Sequence, residues 1–249
     1  MSRRGTSRGP LAHREARPVG MADLGLRLAG LPVFGKLAEE DRRKLARLAV
    51  CKHYEKGDFI FRQGEHWAYV MYLAEGRLGW SILSEDGRRQ ALHEVREGEM
   101  VWGHSFFDDL PAPADLEARE LSLVFRWDRQ TIASVVSRSV DAVWDVSRHL
   151  AGATRRAREI VYGFAFKTAA QRLASLLLSR YPYPEGQPAP RDMTLDEMAG
   201  FVGVTPALIC RLLYGFAERG MIRLTRAEFE FLDRKRLEVF VADGNRSAA

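Results

Sequence analysis

Only two cysteines, Cys51 and Cys210, occur in the 249 residues. Two thiols are too few to hold an iron–sulfur cluster or a zinc site by themselves, and too few for a disulfide framework. Each reads as a free thiol in a reducing cytoplasm. No apolar run approaches the ~18 residues that a membrane-spanning helix needs. The basic N-terminus lacks the apolar core of a secretory signal. The six histidines lie scattered, without the spacing of metal ligands. A nucleophile-and-base motif and a glycine loop of the nucleotide-hydrolase type are both missing. These absences lead to the expectation of a cytoplasmic protein that is not an enzyme, meets no membrane, and has no catalytic residue, cofactor or metal.

What is present is the composition of a soluble globular chain, 46% hydrophobic and 29% charged. The charge is uneven. Residues 1–20 hold five Arg against one Glu, residues 21–149 hold 18 basic against 21 acidic side chains, and residues 150–249 hold 15 against 11. A positive terminal third around an acidic middle suggests a polyanionic partner. Residues 1–22 have little apolar content and read as a disordered basic extension. Met21 is a candidate for an alternative start, which the sequence alone does not decide.

"LAEEDRRKLARLAV" places Leu37, Leu45, Leu48 and Ala49 near one face of a short helix. From Tyr54 to Trp127 the texture changes to short apolar runs between turns. Leu78, Trp80 and Ile82 alternate with small or polar residues, as do Leu121, Leu123, Phe125 and Trp127. Ser84-Glu85-Asp86-Gly87 is a turn between strands. Many short strands at regular intervals predict an antiparallel β-roll over 23–138. Helical periodicity returns near Thr131. Val146, Leu150, Ala153, Ala157, Ile160 and Phe164 step by 4, 3, 4, 3 and 4, the stripe of a coiled-coil seam or of a helix packed on its own roll. "KTAAQRLASLLLSRY" is a further helix, closed by the proline-rich loop "YPYPEGQPAP". "GMIRLTRAEFEFLDRKRLEVF" holds strands at Ile222–Leu224 and Phe229–Leu232, then a helix from Asp233.

Between these lies "TLDEMAGFVGVTPALICRLL", Thr194–Leu213. Thr194-Leu195-Asp196-Glu197 is a capping box. Leu195, Met198, Ala199 and Val202 form the buried face of a first helix. Gly203 supplies the left-handed turn, and Val204 packs beneath it. Thr205 caps a second helix, Pro206 suits its first position, and Ile209 and Leu212 bury it. A small Ala four residues before the glycine, with apolar residues six and nine after it, is the packing pattern of a helix-turn-helix, and the two strands after it form a wing. The outward positions of the second helix are Thr205, Pro206, Ala207, Cys210, Arg211 and Tyr214. Arg211 is suited to bidentate recognition of guanine. Thr205 and the helix N-terminus suit phosphate, and Pro206 and Ala207 offer apolar contact. Lys167 and Arg191 are candidates for the DNA backbone or plain solvated charges.

The order of parts, with "KGDFIFRQGE" (56–65), "VMYLAEGRL" (70–78), "EGEMVWGHSFF" (97–107), "AAQRLASLLL" (169–178) and "RGMIRL" (219–224), resembles the bacterial CRP/FNR superfamily of cyclic-AMP-receptor-like transcription regulators. The resemblance spans nearly all of residues 27–240. It implies an α+β chain: an N-terminal double-stranded β-helix (jelly-roll) domain, a long dimerisation helix over 139–165, and a C-terminal winged helix-turn-helix over 166–249. It further implies a homodimer joined through Val146, Leu150, Ala153, Ala157, Ile160 and Phe164. The partners it implies are double-stranded DNA with a palindromic operator, and RNA polymerase. The chain departs from cyclic-nucleotide-binding members where these carry a ribose-binding Glu and an Arg-Ser or Arg-Thr pair for the phosphate. Here His104 stands at the Glu position, and residues 106–118 contain no Arg or Ser. Asp108, Asp109, Asp115 and Glu117 lie there instead, and four carboxylates without a cation are expected to repel a cyclic phosphate. The alternative expectation is a sensor gated by another effector, either haem through His93 or His104, or an apolar ligand among Trp80, Trp102, Phe106 and Phe107. Where many members carry Arg-Glu this chain has Pro206-Ala207, and Cys210 replaces a Ser. Only the Arg at 211 is kept, so the operator is expected to differ from the usual half-site.

Overall fold

The computed structural model describes residues 21–243, so nearly all of the basic extension lies outside it. Helices α1 (Met21–Ala29) and α2 (Glu39–Leu48) come first, with a 3-10 turn at Phe34–Lys36 between them. The roll follows as β1 (Val50–Tyr54), β2 (Phe59–Phe61), β3 (Tyr69–Glu75), β4 (Arg77–Leu83), β5 (Arg89–Arg96) and β6 (Met100–Trp102). A single turn, α3 (Ser105–Asp108), leads to β7 (Asp115–Ala118) and β8 (Ser122–Asp128). Next come α4 (Arg129–Val136) and the long α5 (Val140–Phe166). The C-terminal part comprises α6 (Ala169–Arg180), β9 (Ala189–Pro190), α7 (Leu195–Val202), α8 (Pro206–Glu218), β10 (Ile222–Leu224), β11 (Glu228–Phe231) and α9 (Arg234–Asp243).

Two antiparallel four-stranded sheets, ordered β1-β8-β3-β6 and β2-β7-β4-β5, make the roll. β3 is buried on both faces, which is why "VMYLA" reads as an unbroken apolar run. Met71 and Leu73 enter the interior with Phe61, Leu78, Trp80, Leu116 and Val124. Val70, Tyr72 and Ala74 face the other way, against α1, α2, α4 and the start of α5. Leu123, Phe125 and Trp127 of β8 join that second layer. The Trp127 indole N–H donates to the Leu45 carbonyl at 2.7 Å, so this buried tryptophan has its polar atom satisfied. Leu121 lies outside the strand and is exposed, and Leu48 is exposed although the helical spacing put it on the buried face.

The C-terminal helices and a small β10-β11-β9 sheet enclose their own apolar core, from Leu173 and Leu177 through Ile209 to Phe231 and Leu237. β9 falls in the loop that the prolines predicted to be irregular. It pairs only at Pro190 with Glu228 and at Ala189 with Phe229, on the sheet edge where a proline lacking its N–H does no harm.

Candidate nucleic-acid interface

The helix-turn-helix is built by local chemistry. At the start of α7, the Thr194 N–H donates to Glu197 Oε2 at 2.8 Å, and the Glu197 N–H donates back to Thr194 Oγ1 at 3.1 Å. This reciprocal pair satisfies two donors that a helix start leaves open. α7 ends at Gly203 with φ 72° and ψ 44°, the left-handed cap that favours glycine. Thr205 caps α8 and Pro206 takes its first position. Inside, Met198, Ala199 and Val202 of α7 meet Ile209, Leu213 and Phe216 of α8. Leu212 is only partly buried; Leu213 and Phe216 do more of the anchoring.

The outward face of α8 holds Thr205, Ala207, Arg211 and Tyr214, all exposed, with Tyr214 at 67%. Pro206 and Cys210 are half-buried at its edge. Lys167 sits between α5 and α6, where its ammonium donates to Ser175 Oγ at 3.1 Å. Arg191 lies beside the wing, its backbone N–H donating to the Ala227 carbonyl at 2.8 Å. The structure therefore gathers the α8 residues on one face and leaves Lys167 and Arg191 on flanking elements.

The helix-turn-helix is held by groups that no sequence motif marks. Gln90 of β5 donates its amide to the Gly200 and Phe201 carbonyls at 2.7 and 3.2 Å, serving the open C-terminal end of α7. The Arg172 guanidinium donates to the Val202 carbonyl at 2.9 Å and to Lys167 O at 2.8 Å, and it lies 4.7 Å over the Phe164 ring. Burial lowers the Arg172 pKa. Arg180 of α6, 9% exposed, pairs with Glu94 of β5 and, at 2.5 Å, with Asp192. Glu94 in turn accepts from Arg77 of β4 at 3.2 Å. β5 thus touches both α7 and α6.

In the roll, the α3–β7 segment differs from its electrostatic expectation. Its four carboxylates are already engaged. Asp115 accepts from the Gln63 N–H at 2.7 Å and faces Arg89, Glu117 contacts Arg89 and Arg119, and Asp109 pairs with Arg129 at 2.8 Å. Asp108 accepts the Leu110 N–H at 3.0 Å. Arg89 and Arg119 come from outside the window in which the sequence showed no cation. What the segment offers is apolar instead, Ala112 and Ala114 being buried on either side of Pro113. His104 meets Trp80 edge-on, and burial lowers its pKa against the opposing pull of Asp108. Between the roll and α5 lies a cavity of about 1120 Å³, lined on one side by Trp80, Leu92 and His93 and on the other by His149, Ala153 and Arg156. Among the described residues no cluster of His, Cys, Asp or Glu is placed to hold a metal ion.

The cyclic nucleotide-binding domain family matches residues 51–139, and the Crp-like helix-turn-helix domain family matches residues 171–240. The chain belongs to the CRP/FNR family. A CRP-like cAMP-activated global transcriptional regulator of Mycobacterium tuberculosis (strain ATCC 25618 / H37Rv) is 26% identical over 193 residues, 74% of this chain and 84% of the relative. The fumarate and nitrate reduction regulatory protein of Escherichia coli (strain K12) is 24% identical over 177 residues, 69% and 70% of the two chains. The structure of FixK2 from Bradyrhizobium japonicum superposes with a TM-score of 0.67 at 21% identity, covering 77% of this chain and 96% of the other. A CooA mutant from Carboxydothermus hydrogenoformans gives 0.68 at 19%, covering 78% and 88%. At these identities the structural likeness is one of fold. As a CRP/FNR member, the chain is a transcription regulator with a helix-turn-helix DNA-binding domain.

Proposed function

We propose that this regulator binds a two-fold symmetric operator as a cytoplasmic homodimer, without a cyclic nucleotide, and that its output is DNA occupancy and contact with RNA polymerase rather than catalysis. The observation that carries the DNA reading is the division of α8, whose inner side is sunk in the winged core while Arg211 and Tyr214 stand clear. Selection of bound sequences from random DNA, repeated with and without candidate effectors, tests it: a palindrome should emerge, with half-sites about one helical turn apart. A pool that stays random, or an asymmetric single site, overturns it. Arg211→Ala should weaken binding by ~1–3 kcal/mol and relax preference at one G·C pair of each half-site. Equal affinity and specificity in a gel-shift titration remove Arg211 from the readers.

Val143, Ser147, Leu150, Thr154, Ala157, Val161 and Phe164 are all exposed along α5 at alternating steps of 4 and 3, a stripe suited to a second copy. Leu150, Ala157 and Phe164 belong to the seam expected from the sequence. Val146 packs in the chain's own core, and Ile160 is half-buried beside the cavity.

Absence of cyclic-nucleotide binding is supported by Ala112, Pro113 and Ala114, which offer no charge or hydroxyl to a phosphate, and by His104 at the ribose position. Repulsion by unpaired carboxylates gives it little support, because three of the four, Asp109, Asp115 and Glu117, are paired with arginines. Calorimetry with cyclic AMP should give no saturable heat; low-micromolar binding overturns this. The cavity favours a second reading, a regulator gated by another small ligand, since its size suits one. Haem is one occupant to test there, through the visible absorption spectrum of the purified protein.

A further inference from the structure

The cavity between β5 and α5 has committed acceptors and uncommitted donors. Of its two carboxylates, Glu94 is held by Arg77 and Arg180, and Glu99 Oε2 accepts the Arg96 N–H at 2.9 Å. His93, His149 and Arg156 also line it. None of these three side chains makes a hydrogen bond or ion pair among the described residues. Burial, helped by Arg156 and His149, lowers the His93 pKa to about 4. His149 is lowered by burial and by Arg156, with Glu99 opposing. His93 and His149 are half-buried and Arg156 is exposed, so three donors without a protein acceptor among the described residues face one space. The remaining wall is apolar: Trp80 stacks on His93 with ring centroids 5.9 Å apart, and Trp102, Leu92, Val101 and Ile160 complete it.

We propose that this cavity binds an amphipathic anion, a carboxylate on an aromatic or acyl body, with the carboxylate at His93, His149 and Arg156 and the body against Trp80 and Trp102. The anionic head then lies between β5 and α5, and the apolar Ala112–Ala114 stretch contributes only contact. The inference rests on the reading of the cavity as a ligand site.

Two probes of opposite head chemistry and equal tail test it on the full chain. 8-Anilinonaphthalene-1-sulfonate should bind once per chain with a rise in fluorescence. Decanoate should displace it at least ~10-fold more effectively than decanol, because charge-assisted hydrogen bonds are the stronger ones. The double substitution Arg156→Gln, His149→Gln should abolish that preference and leave decanol unchanged. On α5, Arg156 is exposed and His149 half-buried, and an unchanged melting temperature excludes misfolding. Decanoate should bind more tightly at pH 6 than at pH 8, since an anion stabilises protonated His93 and His149 against Arg156 on one side and alongside Glu99 on the other. Failure of the dye to bind, equal displacement by decanol, or an unaltered preference in the double variant each overturns the proposal. Operator affinity measured with and without saturating decanoate separates the two levels. Unchanged affinity with bound decanoate removes the gating reading and leaves the site chemistry intact.

Discussion

Arg180→Ala is expected to destabilise the protein by about 3 kcal/mol, at the lower end of the range for breaking a buried ion pair from one side. Arg180 is 9% exposed and Glu94 11%, so neither charge is screened as a surface pair would be. Burial opposes the Arg180 charge, and the Asp192 and Glu94 contacts outweigh it and raise its pKa. Removing the guanidinium leaves Glu94 with Arg77 alone and leaves Asp192 half-exposed without its partner. The partial compensation by Arg77 sets the figure at the low end. Urea unfolding measures it, and a loss under ~1 kcal/mol refutes the assignment. Arg180→Met combined with Glu94→Gln should recover most of the loss, because replacing both members of a buried pair by groups of similar volume is close to neutral. Arg77 keeps Glu120 nearby, at 3.6 Å, in that background. The pair also joins the roll to the helix-turn-helix domain. Arg180→Ala should therefore weaken binding to a full palindrome more than to an isolated half-site, since only the palindrome requires two reading helices in a fixed relation.

The helix-turn-helix was legible because its determinants are local. The capping box, the left-handed glycine, the capping threonine and the helical spacing of apolar residues all lie within 20 positions, and each has a residue-level signature. The strands of the roll were legible for the same reason, through alternation and turns. The Gln90 contacts were not: they join residues 110 and 111 positions apart, and an isolated glutamine in a strand carries no pattern. The Arg180–Glu94 pair spans 86 positions with the same result. The carboxylates of residues 108–117 misled because charge was counted along the chain, whereas their partners Arg89 and Arg129 arrive from neighbouring elements. A stripe repeating every 3.5 residues shows that a helix packs but not against what, which is why Val146 lies in the chain's own core. The cavity has no sequence signature, being defined by what surrounds it. Histidines 93, 104 and 149 were scattered in sequence and are gathered around it by β5, the turn between β6 and α3, and α5.

Gly203→Ala is expected to cost about 2–5 kcal/mol and to impair operator binding beyond the loss of folded protein. Two independent penalties combine. At φ 72° a side chain destabilises the left-handed backbone by ~1–2 kcal/mol. An added Cβ at this position would also lie 2.7 Å from Phe164 Cε1 and 2.8 Å from Gln90 Oε1, closer than carbon contacts allow. Overpacking of this kind costs a further ~1–3 kcal/mol. Neighbouring glycines separate the two causes. Gly57 and Gly220 also have positive φ, at 94° and 67°, but nothing lies within 4 Å of an added Cβ, so Ala there should incur the backbone penalty alone. The clash at 203 falls on the side chain that holds the end of α7 and on the ring beneath Arg172. Relieving it must displace Gln90, Phe164 or the turn itself, which are the contacts that hold the end of α7 and the turn into α8. Gly203→Ala should therefore lower affinity for the full operator at temperatures where circular dichroism shows the protein folded. Gly220→Ala, with similar backbone strain and no clash, should not. Equal operator affinity for the two variants under those conditions would show that the contacts around Gly203 support folding without positioning the reading helix.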